Sequence, residues 1–139
     1  MASGGELIVL GPGIHTFGED REIDRLIRKY GYRTTPEILK MVTENGDLAG
    51  NLRAATHMIH GSSENRFSIT YCPGKLSKKE IEGVNVQYAD LHEMMKKYNP
   101  AKLKDGFNQD GNEAVFYISN FALGLWAHSD RLMQKHFRI

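Results

Sequence analysis

Five residues into the chain the sequence turns abruptly apolar: Glu6-Leu7-Ile8-Val9-Leu10 is a short unbroken hydrophobic run that stops at Gly11-Pro12-Gly13. A run of that kind, with no polar alternation, suits a strand covered on both faces in the interior of a parallel sheet. The next pattern is helical. Between Glu19 and Tyr30 the apolar residues Ile23, Leu26, Ile27 and Tyr30 recur at helical spacing, and Gly31 closes the segment. Arg21, Asp24, Arg25 and Arg28 fall on the opposite side, and with Asp20 and Glu22 they read as a solvated face laced by pairs one turn apart.

Thr35-Pro36-Glu37 reads as an N-cap followed by proline at the first helical position, and it opens a second helix with Ile38, Leu39, Met41 and Val42 inward. Asn45-Gly46 stops it. Asp47 then caps a third helix that runs through Leu48, Leu52, Ala55, Met58 and Ile59. Arg66 to Cys72 is rich in aromatic and β-branched residues and predicts a strand that Pro73-Gly74 ends. Ser77 with Glu80 three residues later is a capping box for a short helix to about Gly83. Asn85 to Ala89 is a further strand, and Asp90 caps Leu91 to Tyr98, with Met94 and Met95 as core candidates before Asn99-Pro100. Lys104 to Glu113 has the composition of a loop, Ala114 to Ser119 that of a last strand. Phe121 to Trp126 is apolar, and Ser129 to Phe137 predicts a C-terminal helix with Leu132 and Met133 packed. Strands alternating with helices predict an α/β fold: one domain over residues 1–139, with a mostly parallel sheet of about four strands flanked by helices.

Composition narrows the function classes. With 18 Lys and Arg against 17 Asp and Glu, there is no electrostatic case for nucleic acid or a membrane surface as partner. No run approaches the roughly 18 to 20 apolar residues of a membrane span, and no basic segment followed by a long apolar one opens the chain. A single cysteine makes no internal disulfide, which favours a reducing compartment, and the expected location is the cytoplasm. The chain enters its first strand with almost no lead-in, as a piece of a longer protein would.

Chemistry-bearing residues cluster in two places. Gly11 and Gly13, with His15 just beyond, follow the first strand, where open α/β sheets bind ligands at the carboxyl ends of their strands. Backbone amides there could approach a phosphate, as a free-standing nucleotide- or phosphate-binding module would require. No phosphate-loop motif is present, however, and Pro12 removes a donor, so a plain tight turn is favoured. The second cluster lies between Ala55 and Gly74. His57 and His60 share a helical face near a C-terminus, an arrangement that a metal-dependent hydrolase could use with a distant carboxylate. The spacing is not that of H-E-x-x-H, and the macrodipole favours histidine at a helix C-terminus without any metal. Ser62 and Ser63 occupy the following turn, and Cys72 reads as a small buried hydrophobe.

Four stretches, GGELIVLGPGIHTFGEDREIDRLIRKYGY, NLRAATHMIHGSSENRFSITYCPGKLSKKEIEGV, YADLHEMMKKY and AVFYISNFALGLWA, together resemble the C-terminal domain of the nickel-pincer lactate racemase family over most of the chain. The family's enzymes are two-domain α/β proteins that interconvert the stereoisomers of 2-hydroxy acids with a nickel pincer nucleotide held between the domains. The resemblance implies that the covalent lysine, the nickel-binding histidine and the catalytic histidine pair belong to a missing N-terminal domain. A Tyr-Gln and lysine motif that contacts substrate falls just before the strand with which this chain starts. No catalytic residue is therefore carried over by name. Racemisation at a 2-hydroxy carbon needs hydride removal and return, and a base for the hydroxyl proton. The chain alone is expected to be inactive and to bind no cofactor by itself. Its expected partners are the missing domain and, in the whole protein, a small 2-hydroxy acid, with Gly11 to His15 and His57 to Ser63 as walls of the cleft.

Overall fold

The computed structural model describes residues 3–119. These fall into two compact units, one of residues 4–91 and one of residues 92–119 together with Ser3. The apolar segment Phe121–Trp126 and the helix expected over Ser129–Phe137 lie outside the described residues.

The first unit carries β1 (Glu6–Gly11), α1 (Arg21–Tyr30), α2 (Thr35–Glu44), α3 (Gly46–Ala49), α4 (Leu52–His60), β2 (Ser68–Pro73), α5 (Lys78–Gly83) and β3 (Gln87–Tyr88). Its sheet is parallel throughout, in the order β1-β2-β3, with Glu6 opposite Ser68 and Thr70 opposite Gln87. The fold is thus mixed α/β with a parallel sheet, as the alternation of patterns implies, but that sheet has three strands and not four. The apolar run of β1 is also an edge strand and not an interior one. Among the described residues it pairs with β2 alone, and Leu7 to Leu10 remain half-buried. An unbroken apolar run reports covered faces and carries no information about which strand stands at the edge.

Helix boundaries follow local chemistry. The Asp20 carboxylate caps α1 by accepting from the Ile23 amide at 2.8 Å, and the helix closes at Gly31, whose φ of +73° suits glycine. The cap of α2 is Thr34, one residue earlier than the sequence suggested, because Glu37 reaches back to the Thr34 amide at 2.9 Å. Proline is then in the first turn. The single helix expected from Asp47 onward is two: the chain breaks at Gly50, and Asn51 caps α4 by accepting from the Ala54 amide at 3.2 Å. The break rotates Leu52 outward to 61% exposure, and Leu39 on α2 is 55% exposed, so neither packs inward as expected. Leu26, Ile27, Ile38, Leu48, Met58 and Ile81 are fully buried and join α1 to α5 in one core. Each such side chain contributes about 1.5 to 3 kcal/mol of burial.

The second unit holds most of α6 (Leu91–Lys97) and a hairpin of β4 (Gly106–Asp110) and β5 (Glu113–Tyr117). The strand expected near Ala114 therefore exists, but as half of a separate antiparallel sheet. Its partner β4 lies within the stretch expected to be a loop. Gly111, at φ +60°, takes the first central position of a two-residue turn between Asp110 and Glu113, a place that glycine favours in tight hairpins. Met95 is 36% exposed and α6 buries no residue, so the Met94-Met95 pair is not core.

Candidate functional site

The parallel register sends the candidate residues to opposite ends of one sheet. Gly11 ends β1, with Gly13 and His15 just beyond it, whereas Ser62 and Ser63 precede the amino end of β2. Six paired residues put these ends on the order of 20 Å apart. They do not form one site.

At the carboxyl end the loops after β1 and β2 lock together. The Ile14 and Gly74 amides both donate to the Gly11 carbonyl, at 3.1 and 2.8 Å, and the Lys75 amide donates to the Ile14 carbonyl at 3.2 Å. Pro12 has no amide hydrogen, so the amides at 12, 14, 74 and 75 are absent or already committed. His15 is exposed, its Nδ1 3.1 Å from the Gly13 carbonyl. The interlock takes these amides out of a phosphate's reach, while those of Gly13 and His15 make no hydrogen bond among the described residues.

His57 and His60 occupy the last turn of α4, but their surroundings differ. His57 is half-buried, its ring 6.3 Å from that of Tyr32 and hydrogen-bonded to the Phe17 backbone. Burial holds its pKa below the usual imidazole range; nearby Glu19 acts in the opposite direction, and His60 adds to the lowering. His60 itself is exposed. Among the described residues no three His, Cys, Asp or Glu side chains come close enough together to hold a metal ion. Cys72 is fully buried in β2, and its thiol is pushed up to about 11 by burial, with smaller contributions from Glu6 and Asp90.

The open chemistry lies at the amino end. A pocket of about 520 Å³ forms between the segment after α1, the first turn of α2, the loop after α4 and the entries to β2 and β3. Ser62 and Ser63 line it, as do Arg33, Asn85 and Gln87, while Tyr32, Phe67, Ile69 and Val86 supply its apolar surface. Two hydrogen bonds across the fold hold one wall: the Tyr32 amide donates to the Val84 carbonyl at 3.0 Å, and Asn85 Nδ2 donates to the Tyr32 carbonyl at 3.1 Å. Asn85 itself takes a left-handed backbone, φ +63°. The opposite wall turns through Glu64 and Asn65, also left-handed at φ +52° and +57°. Ser62 Oγ accepts from the Glu64 amide at 3.0 Å, and the Glu64 carboxylate accepts from the Thr35 amide at 2.7 Å and from its hydroxyl, which ties this loop to α2. Those bonds to Thr35 hold Glu64 below the ordinary carboxylate range.

Ser62 and Ser63 were legible as turn residues, yet their partners Tyr32, Arg33, Asn85 and Gln87 were not. One signal was available: Gly31 and Asn85 are residue types that tolerate a left-handed backbone, placed beside segments of otherwise regular pattern.

No family model matches the chain, and no curated protein does. A crystal structure of a protein from Thermotoga maritima, a structural-genomics target, is similar with a TM-score of 0.57 and 22% sequence identity. The match covers 73% of this chain and 26% of that one, so the chain spans about a quarter of the length of that structure. At this identity the likeness shows the fold alone.

Proposed function

We propose that the chain is the C-terminal, cleft-forming domain of a lactate-racemase-like isomerase of 2-hydroxy acids, with its catalytic groups and its nickel pincer nucleotide held by an N-terminal half. What carries the reading is the place of the pocket. In the family that the sequence resembles, the substrate-contacting Tyr-Gln and lysine motif directly precedes the first strand, so it would enter at the amino end of β1. Parallel pairing with β2 puts the pocket at that same end. Ser62 and Ser63 would then face the cleft, and Gly11 to His15, at the far end, would serve as a structural turn. Recurrence of the fold as about a quarter of a longer chain is in keeping with a domain that works as part of something larger.

The resemblance places the ligands of the cofactor in the N-terminal half, so no step of the reaction is assigned to the cofactor on this chain. The test is racemisation of enantiopure lactate and longer 2-hydroxy acids, followed by chiral chromatography. It compares this chain alone with a two-domain protein that contains it, each supplied with cofactor. The expected outcome is no turnover by the chain and turnover by the two-domain protein. Racemisation by the chain alone would move the catalytic groups into it, and a two-domain protein inert toward every 2-hydroxy acid would sink the isomerase reading.

A further inference from the structure

The pocket at the amino ends of β2 and β3 holds more hydrogen-bonding capacity than the protein spends on itself. Arg33 commits Nε to the Tyr30 carbonyl at 3.1 Å, which leaves both terminal guanidinium nitrogens without a hydrogen bond or ion pair among the described residues. The Thr70 hydroxyl gives its one proton to the Glu6 carboxylate at 2.8 Å and lies 3.3 Å from the Gln87 side-chain amide, which keeps most of its hydrogen-bonding capacity, and Asn85 uses Nδ2, leaving its oxygen. The hydroxyls of Ser63 and Ser68 and the side-chain amide of Asn65 make no hydrogen bond among the described residues. Donors and acceptors are therefore both on offer, most of them uncharged.

The charges of the lining balance, Arg33 against Glu37, so a polyanion would meet as much repulsion as attraction. An apolar ligand would strip water from several polar groups and return no partner to them. A molecule with several hydroxyls avoids both costs. Each hydroxyl donates and accepts, adjacent hydroxyls match the two-pronged geometry of a guanidinium or an amide, and the C–H faces lie against Tyr32, Phe67, Ile69 and Val86. We infer that this pocket binds a small polyhydroxylated molecule through its vicinal hydroxyls, either a neutral sugar or a sugar acid, with Arg33, Asn85 and Gln87 as the recognising side chains. The inference stands without the isomerase reading, because binding is measured on this chain by itself.

The test is a titration of the isotopically labelled chain, followed by amide chemical shifts, with neutral pentoses and hexoses and with the matching aldonic acids. Inorganic phosphate is the anionic control. The expected result is saturable binding of at least one polyol, with shifts concentrated at residues 31–37, 62–69 and 85–87. Gln87→Ala and Ser63→Ala, both outside the core, should each weaken it by about tenfold, the worth of one good hydrogen bond, and Ser63→Ala, which removes no hydrogen bond among the described residues, should leave the melting temperature unchanged. Arg33→Met separates the two sources: a loss confined to the acids assigns a sugar acid, and an equal loss for both assigns a neutral sugar. Absence of saturable shifts with every polyol, binding of phosphate alone, or binding indifferent to both Gln87→Ala and Ser63→Ala would overturn the inference.

Discussion

Substituting Gly74 by alanine tests the interlock between the loops that follow β1 and β2. Gly74 has no left-handed backbone to lose, so the effect is purely steric. A methyl group there would stand 1.9 Å from the Pro12 carbonyl oxygen, 2.6 Å from its carbon and 2.8 Å from Pro12 Cα. All three neighbours are backbone, and no rotamer change relieves them. The loops must separate by about an ångström, which puts the Gly74-to-Gly11 and Lys75-to-Ile14 hydrogen bonds at risk. Two lost backbone hydrogen bonds cost about 1 to 3 kcal/mol, and forced overpacking a further ~1 to 3 kcal/mol. A central value of about 4 kcal/mol corresponds to a fall in melting temperature of roughly 16 to 32 °C for a domain of this size.

Gly83→Ala is the matched control. It adds the same methyl group at the last residue of α5, where nothing lies within 4 Å. Restricting the unfolded chain should there stabilise by about 0.4 to 1 kcal/mol. Thermal melts followed by circular dichroism would compare the two variants with the parent protein. A Gly74→Ala protein melting within about 3 °C of the parent, against the loss expected from overpacking, would show that the two loops do not hold each other as described.

Two further outcomes concern ionisation. The Lys29 ammonium, and after it the Tyr30 hydroxyl, hold the Asp47 carboxyl down to about 2. Because the folded value lies below the unfolded one, near ~3.9, the stabilisation is present above that pH and is lost as pH falls toward 2. The low folded value of His57 already lowers urea midpoints as pH falls through the imidazole range; below about 4 a further decline should set in, shallower in Asp47→Asn, and an unchanged decline there would remove Asp47 from the acid limb. For Cys72 the shift is upward, to about 11, so the contribution is present below the unfolded thiol value and fades as pH rises through about 11. At pH 8 a thiol-specific disulfide reagent should label the native protein about a hundredfold more slowly than the urea-unfolded chain, and equal rates would place Cys72 at the surface.

What the sequence reveals of this molecule is its local chemistry. The buried set Ile23, Leu26 and Ile27 follows from helical spacing, and the capping box at Ser77 and Glu80 is present as the motif requires. Pairing between segments was far less legible. β4 has Phe107 as its one large apolar side chain, 66% exposed, and it is a strand because β5 supplies the partner and Phe116 meets Phe107 edge to face at 4.9 Å. Nothing in the composition of that stretch distinguishes it from a loop. The pocket was hidden for the same reason: Tyr32 and Asn85 are 53 residues apart, and the hydrogen bond that joins them is a product of the fold. Ser62 and Ser63 were visible as polar turn residues, but what they could do depends on neighbours that only the parallel crossovers bring to them.

The two ends of the sheet differ in what they leave unspent, and the proposed binding site rests on that difference. The loops that follow β1 and β2 meet across adjacent parallel strands, so their amides and carbonyls satisfy one another and the turn closes. At the other end, connections arrive from α1, α4 and α5, three separate helices, and each must turn sharply to reach its next position. Left-handed residues make those turns at Gly31, at Glu64 with Asn65, and at Asn85. Their backbones are held by a few long-range bonds, and the side chains of Arg33, Ser63 and Gln87 keep donors and acceptors for something else. The proposed site thus departs from the usual preference of α/β sheets for ligands at the carboxyl ends of strands: there the amides of Ile14, Gly74 and Lys75 are committed between the loops, whereas at the amino ends a pocket of about 520 Å³ is lined by side chains that keep donors and acceptors.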